Sequence, residues 1–314
     1  MVVFIHIPFC GQLGTGVDAL ARFAVPFFFF VSGYYSYRIP CEKIKNRIRN
    51  ILSLLMLSMT SYTAFEIIKL LKYDRVELVT FFEKYTELST YTEFLIFNVP
   101  VHFGHLWYLL AVLYVYIIFY FVTMFHVKEK IIFTVSCSFL LLNLVLGEGL
   151  ALFGIVLPLS LLRNFVTMGI PFFALGLFVR KHEHKFHSVP NYVIPLLIAT
   201  GALESVISAF LFGKNELYVG SLLVLCAMIC MFIKRADIKL PSFLTALEGC
   251  STYIYIFHIM ISTVIHIIYG ILGINIYSSV ILENLHPFVA CVASTVFAFV
   301  LVKILKIARK ARAK

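Results

Sequence analysis

The residues with the clearest capacity for chemistry are ionisable side chains set in long apolar runs. His6 stands in VVFIHIPF, and imidazole is the side chain most easily poised as a general base near neutral pH. Charged and titratable groups inside membrane-length runs are costly, which makes each a candidate for function. Asp18 and Arg22 are spaced i, i+4, and Glu66 and Lys69 are spaced i, i+3. Arg163 opens an apolar run, Glu204 lies in the middle of one with no evident partner, and His258 lies near the start of another. The plainer readings are ion pairs that hold helix ends at the interface for Asp18–Arg22 and Glu66–Lys69, and a hydrogen bond to a neighbouring helix for His258. His6 too has a structural reading. His102 and His105 precede an apolar run and read equally as interfacial anchors. The alternating His182, His184 and His187 of KHEHKFH have a spacing open to metal, but a solvated loop is the better reading, and no metal site is expected. The seven cysteines lack ligand spacing and read as small apolar fillers without a disulfide framework.

The elements that carry these groups must be membrane helices. Of 314 residues, 61% are hydrophobic and 13% charged, and 32 are Phe. A soluble fold has no place for that much apolar surface, because much of any surface stays exposed. A span needs roughly 20 apolar residues. Runs of about that length lie near 19–37, 51–71, 106–125, 131–147, 163–180, 192–212, 217–233, 252–272 and 285–305. The fold expected is all-α, a polytopic bundle of about ten spans with the first one truncated, forming one membrane domain over residues 1–314.

Orientation follows from the basic residues. Arg38, Lys43, Lys45, Arg47 and Arg49 share one gap between runs; Lys128 and Lys130, then Arg180, Lys181 and Lys185, then Lys234, Arg235 and Lys239 occupy alternate later gaps. Lys303, Lys306, Arg309, Lys310, Arg312 and Lys314 fill the tail. If the runs alternate across the membrane, all of these lie on one side. The opposite gap at 72–105 holds Lys72, Arg75 and Lys84 against Asp74, Glu77, Glu83, Glu87 and Glu93. The basic side, with the C-terminus, is therefore expected in the cytoplasm. The net charge of +10 is then a matter of topology and not of nucleic-acid binding. The stretch PCEKIKNRIRN at 40–50 is expected along the inner membrane surface. Residues 10–18 fall outside, so Val2–Phe9 reads as the outer half of a helix whose inner half would precede Met1; a start codon assigned too late, or a re-entrant segment, accounts for it. No secretory signal peptide and no solenoid repeat are visible.

Several stretches resemble the acyltransferase 3 family of membrane O-acyltransferases, over nearly the whole chain. VVFIHIPF with His6 is similar to the family's first helix, and RFAVPFFFFVSGYYSYR at 22–38, with Ser32, Gly33 and Tyr34, to its second. KIKNRIRNIL at 43–52, HLWYL at 105–109, PFFALG at 171–176 and STYIYIFH at 251–258, with His258, follow in family order. One departure is that the Arg the family carries about ten residues before its first-helix His would precede Met1.

The resemblance implies transfer of an acyl group, usually acetyl, from a cytoplasmic donor such as acetyl-CoA to a hydroxyl of a cell-surface or lipid-linked sugar. On this reading His6 is the catalytic base. Arg38, Lys45, Arg47 and Arg49 hold the phosphates of the donor, and Arg22, Arg163 and Trp107 face the acceptor. Fixing topology accounts equally for the first group, and an interfacial aromatic belt for Trp107 and Tyr108. Acyl-CoA enters as a co-substrate, no cofactor is bound permanently, and the expected location is the plasma membrane among lipids, without nucleic-acid partners. A polysaccharide or lipid transporter also suits about ten helices with intramembrane charges, although no internal repeat supports it. An inactive relative is the reading if the short start is genuine.

Overall fold

A computed structural model describes residues 1–73, 75–237, 247 and 249–312. Asp74, Lys239 and Lys314 therefore lie outside the described residues, as do the side chains of Arg309 and Arg312. All the elements of the described chain are helices, with no strand among the described residues. It divides into two compact units: Met1–Ala21 with Arg235–Lys314, and Arg22–Lys234.

In the first unit, α1 (Val2–His6) and α2 (Gly11–Ala21) belong with two long helices, Cys250–Ile271 and Val280–Arg312. The short α1 packs against both long helices. Val3 and Ile7 on either side of His6 are buried with Ala290, and Ile254 and Ile265 pack around them. The apolar spacing about His6 is thus what seats it.

The second unit opens with α3 (Ala24–Tyr34) and α4 (Cys41–Tyr73). Between these and the next span lie α5 (Arg75–Glu83) and α6 (Leu88–Phe97), two helices in a stretch that the sequence marks only as a gap. Then come α7 (Trp107–Met124), α8 (Glu129–Leu144), a single-turn α9 (Leu159–Leu162), α10 (Ile170–Lys181), α11 (Glu183–His187), α12 (Val193–Phe212) and α13 (Val219–Ile233). The two long helices of the first unit complete the numbering as α14 and α15. π-turns at Val145–Gly149 and Phe165–Gly169 adjoin α8 and α10.

Pro26 and Pro171 sit in the first turns of α3 and α10, where a missing N–H costs nothing. These two helices form the centre of the unit, and two glycines set their spacing. A Cβ on Gly33 would lie 1.9 Å from the Phe173 carbonyl oxygen, and one on Gly176 would lie 2.1 Å from that of Phe30. Only glycines permit this approach, a common device for packing membrane helices. Around the seam lie Phe29, Phe30, Trp107, Phe172 and Phe173, all buried.

Among the described residues, eight helical stretches are long and apolar enough to cross a membrane: Gly11–Tyr34, Cys41–Tyr73, Gly104–Met124, Glu129–Gly149, Leu159–Lys181, Val193–Phe212, Cys250–Ile271 and Val280–Ala308. They carry exposed apolar side chains such as Ile68, Leu211 and Val292, a surface suited to lipid. The run at 217–233 becomes the 15-residue α13, about 22 Å long and short of the ~30 Å hydrocarbon layer. Two other boundaries differ from expectation. The run expected from residue 19 is preceded by helix: α2 begins at Gly11, and a turn at Arg22 and Phe23 separates it from α3. The basic stretch 40–50 runs without a break into the span as the start of the 33-residue α4, and Ile44, Ile48 and Ile51 pack on the core of the second unit.

Candidate active site

In the first unit, the ring of half-buried His6 lies against that of His258 on α14, with centroids 5.2 Å apart. His258 is fully buried. Its Nδ1 is 2.7 Å from the Tyr255 carbonyl oxygen and 3.1 Å from that of Ile254. Carbonyls only accept, so Nδ1 carries the hydrogen, and in the neutral ring the lone pair is on Nε2. One turn on, at i+4 and i+8, follow Ser262 and His266 on the same face. The Ser262 hydroxyl is 3.1 Å from Nε2 of His286 on α15, whose ring packs 4.3 Å from that of His266. His6 thus stands beside the first of a set of imidazoles, His258, His266 and His286, polar side chains that need no fixed charge in the membrane.

In the second unit, Arg22 stands in the turn before α3 and Arg163 at the end of α9. Their guanidinium groups meet one carboxylate, Glu216: Arg22 at 2.9 Å and Arg163 at 3.9 Å. The Arg163 guanidinium also lies over the Trp107 ring, 5.6 Å from its centroid. Local hydrogen bonds explain why these groups converge. The Asn164 side chain accepts from the Val166 and Thr167 N–H groups and so fixes the turn that presents Arg163. Asn98, in the left-handed region, accepts from the Phe165 N–H and ties that turn to the end of α6. On the other side, the Glu216 N–H donates to Asn215, the Asn215 N–H to the Tyr218 hydroxyl, and the Val219 N–H to Glu148.

The basic edge of this unit is less uniform than its charge suggests. Arg47 donates to the Ser36 hydroxyl at 2.7 Å, the Tyr116 hydroxyl at 3.0 Å and the Tyr35 carbonyl at 2.8 Å, which pins the start of α4 to the end of α3 and to α7. Lys45 pairs with Glu42 at 2.9 Å. Arg38 and Arg49 are exposed. Tyr34 accepts from Arg180 at 2.8 Å and donates to Glu183 at 2.6 Å. In the Ser32-Gly33-Tyr34 stretch, the Ser32 carbonyl accepts from the Ser36 and Tyr116 hydroxyls, so each member of the motif holds a helix contact.

A family model described as an acyltransferase domain matches residues 1–303. The chain belongs to the acyltransferase 3 family. It is an acyltransferase enzyme with multiple membrane helices. No curated protein and no solved structure matches it.

Within this acyltransferase, the structure brings Arg22, Arg163 and Trp107 together, and sets His6 beside His258. Glu216 was not legible as their partner: it is one acid in a short gap, 53 or more positions from either arginine in sequence. The partners of Glu204 were likewise hidden. It accepts from the Gly220 N–H and meets Glu148, so two carboxyl groups cap the first turn of α13. His102 stacks on Phe81 and donates to its carbonyl at 2.8 Å; burial holds its pKa below the ordinary imidazole value. Glu66 and Lys69 form their local ion pair. Among the described residues, no group of three His, Cys, Asp or Glu side chains is placed to hold a metal ion.

Proposed function

We propose that this enzyme transfers an acyl group, in the first instance acetyl, from acetyl-CoA on the cytoplasmic side to a sugar hydroxyl of a cell-surface or lipid-linked glycan. The observation that carries this reading is His6 held by α1 against α14 and α15, beside His258, in a chain of the acyltransferase 3 family. The His6 imidazole removes the proton of the acceptor hydroxyl as the oxygen attacks the thioester carbonyl, the C–S bond breaks, and the proton returns to the departing thiolate. His258 orients that ring. Arg22 and Arg163, fixed by Glu216, face the acceptor, with Trp107 offering an aromatic face to a sugar ring. Arg38, Lys45 and Arg49 supply charge for the donor phosphates, and Arg47 holds the segment that presents them. The plasma membrane is the compartment where such a donor and acceptor meet.

The test is acetyl-ester analysis of surface glycans with and without the gene. Loss of acetyl with normal glycan export is expected; loss of the glycan itself would point to transport instead. His6→Ala is expected to abolish acetylation while the protein still inserts. Full acetylation by that variant would remove His6 from the mechanism.

A further inference from the structure

A cavity of about 540 Å³ lies in the second unit among α7, α8, α10 and the segment that follows α3. Phe119 and Val122 of α7, Ile132 and Phe133 of α8, and Leu177 and Phe178 of α10 give it apolar walls. Its mouth is basic. Arg38, Lys130 and Lys181 line it with His126 and His182, and the one acidic lining residue, Glu129, is paired with Lys181.

Three further observations bear on what fits there. Helices α7 and α8 are consecutive in the chain yet barely touch: α7 packs on α4, and α8 on α10. Phe133 of the cavity wall is exposed, as are Phe121 and Phe125 near the end of α7, so these helices carry a surface suited to lipid. Arg38 and His126, at φ 56° and 50°, are two of the four non-glycine residues in the left-handed region among the described residues, and both line this cavity. Strained backbone of this kind tends to gather at binding sites. Finally, α8 begins at the mouth, and the positive end of a helix favours an anion.

We propose that this cavity binds one anionic phospholipid of the cytoplasmic leaflet. Its phosphate meets Arg38, Lys130 and Lys181, and its acyl chains lie on the apolar walls and leave between α7 and α8. The charge distribution along the chain puts the mouth on the cytoplasmic side, where anionic lipids are concentrated and where basic pockets between membrane helices hold their headgroups. Apolar walls beneath a basic rim favour a lipid over a water-soluble anion. The site shares Arg38 with the proposed donor-phosphate cluster, but its test rests on Lys130, Lys181 and Val122, which the acyl-transfer reading does not use.

The experiment uses the full chain purified in a neutral detergent, with radiolabelled phosphatidylglycerol as probe. Saturable retention of about one lipid per chain is expected, displaced by unlabelled phosphatidylglycerol and not by phosphatidylcholine or inorganic phosphate. Each cation near a phosphate is worth about fivefold in affinity, so Lys130→Gln with Lys181→Gln should weaken retention about 25-fold. Lys303→Gln with Lys306→Gln, on α15, should leave it unchanged. Should the first pair of substitutions prevent folding, Val122→Phe narrows the cavity without altering charge and is expected to lower retention. Equal retention of phosphatidylcholine, displacement by inorganic phosphate, or displacement by coenzyme A would each overturn the proposal. So would unchanged retention in the folded Lys130/Lys181 or Val122 variants.

Discussion

The imidazole stripe of the first unit and the arginine–glutamate cluster of the second meet the same demand by different means. Both place polar groups in or beside helical stretches long enough to cross a membrane. In the first unit the groups are imidazole rings, and two of them bond to carbonyls on their own helix: His258 to Tyr255 and Ile254, and His266 to Ser262. In the second unit the groups carry charge, and Arg22 and Arg163 are compensated by Glu216 from a distant turn. A ring satisfied by its own helix keeps its place when neighbours shift. A charge satisfied across the fold depends on every element that holds its partner.

That contrast can be broken most severely at Glu216. Glu216→Ala leaves two guanidinium groups without their shared carboxylate, and removing one member of a buried pair costs about 3 kcal/mol. A clear drop in thermal midpoint is expected, together with loss of transfer; a variant as stable as the parent would show that the cluster is not structural glue. Next in size is Gly33→Ala. The added methyl meets the Phe173 carbonyl, and overpacking of this kind costs about 1–3 kcal/mol, read as a lower midpoint with α3 and α10 forced apart.

The first unit should respond in rate more than in stability. His258→Gln keeps a polar group of similar reach but removes the ring beside His6, and transfer is expected to fall about tenfold, with a changed pH–rate profile, while the thermal midpoint moves little. An unaltered pH profile would reduce His258 to a packing residue. The smallest effect belongs to Lys69→Gln. Its partner Glu66 is one turn away on the same helix, and such a pair contributes about 0.2–0.5 kcal/mol, so the midpoint should barely move.

The two kinds of contact also explain what could be read in advance. Glu66–Lys69 follows from spacing, since residues one turn apart on a helix must meet. His6 and His258 were legible as unusual groups in apolar runs, and the family match over residues 1–303 agrees with the resemblance those runs carry. Glu216 and the partners of Glu204 were not legible, because nothing in a short turn announces which distant helix will lie over it. The basic edge was legible as charge but not as bonding. Arg47 and Arg49 look alike in the sequence, yet one is tied to Ser36, Tyr35 and Tyr116 while the other is exposed.

The membrane character, the helical class and the family all lie in the order of residues along the chain. Their causes are local or summed over short stretches: apolar run length and motif order. Tertiary structure alone decided that α3 and α10 meet through Gly33 and Gly176, that Arg22, Arg163 and Trp107 gather at Glu216, and that α7 and α8 part around a cavity. In a membrane the apolar pattern places each helix across the bilayer but says little about its neighbours. Lipid and protein are equally apolar surroundings, so backbone approach and a few long-range polar contacts choose the partners.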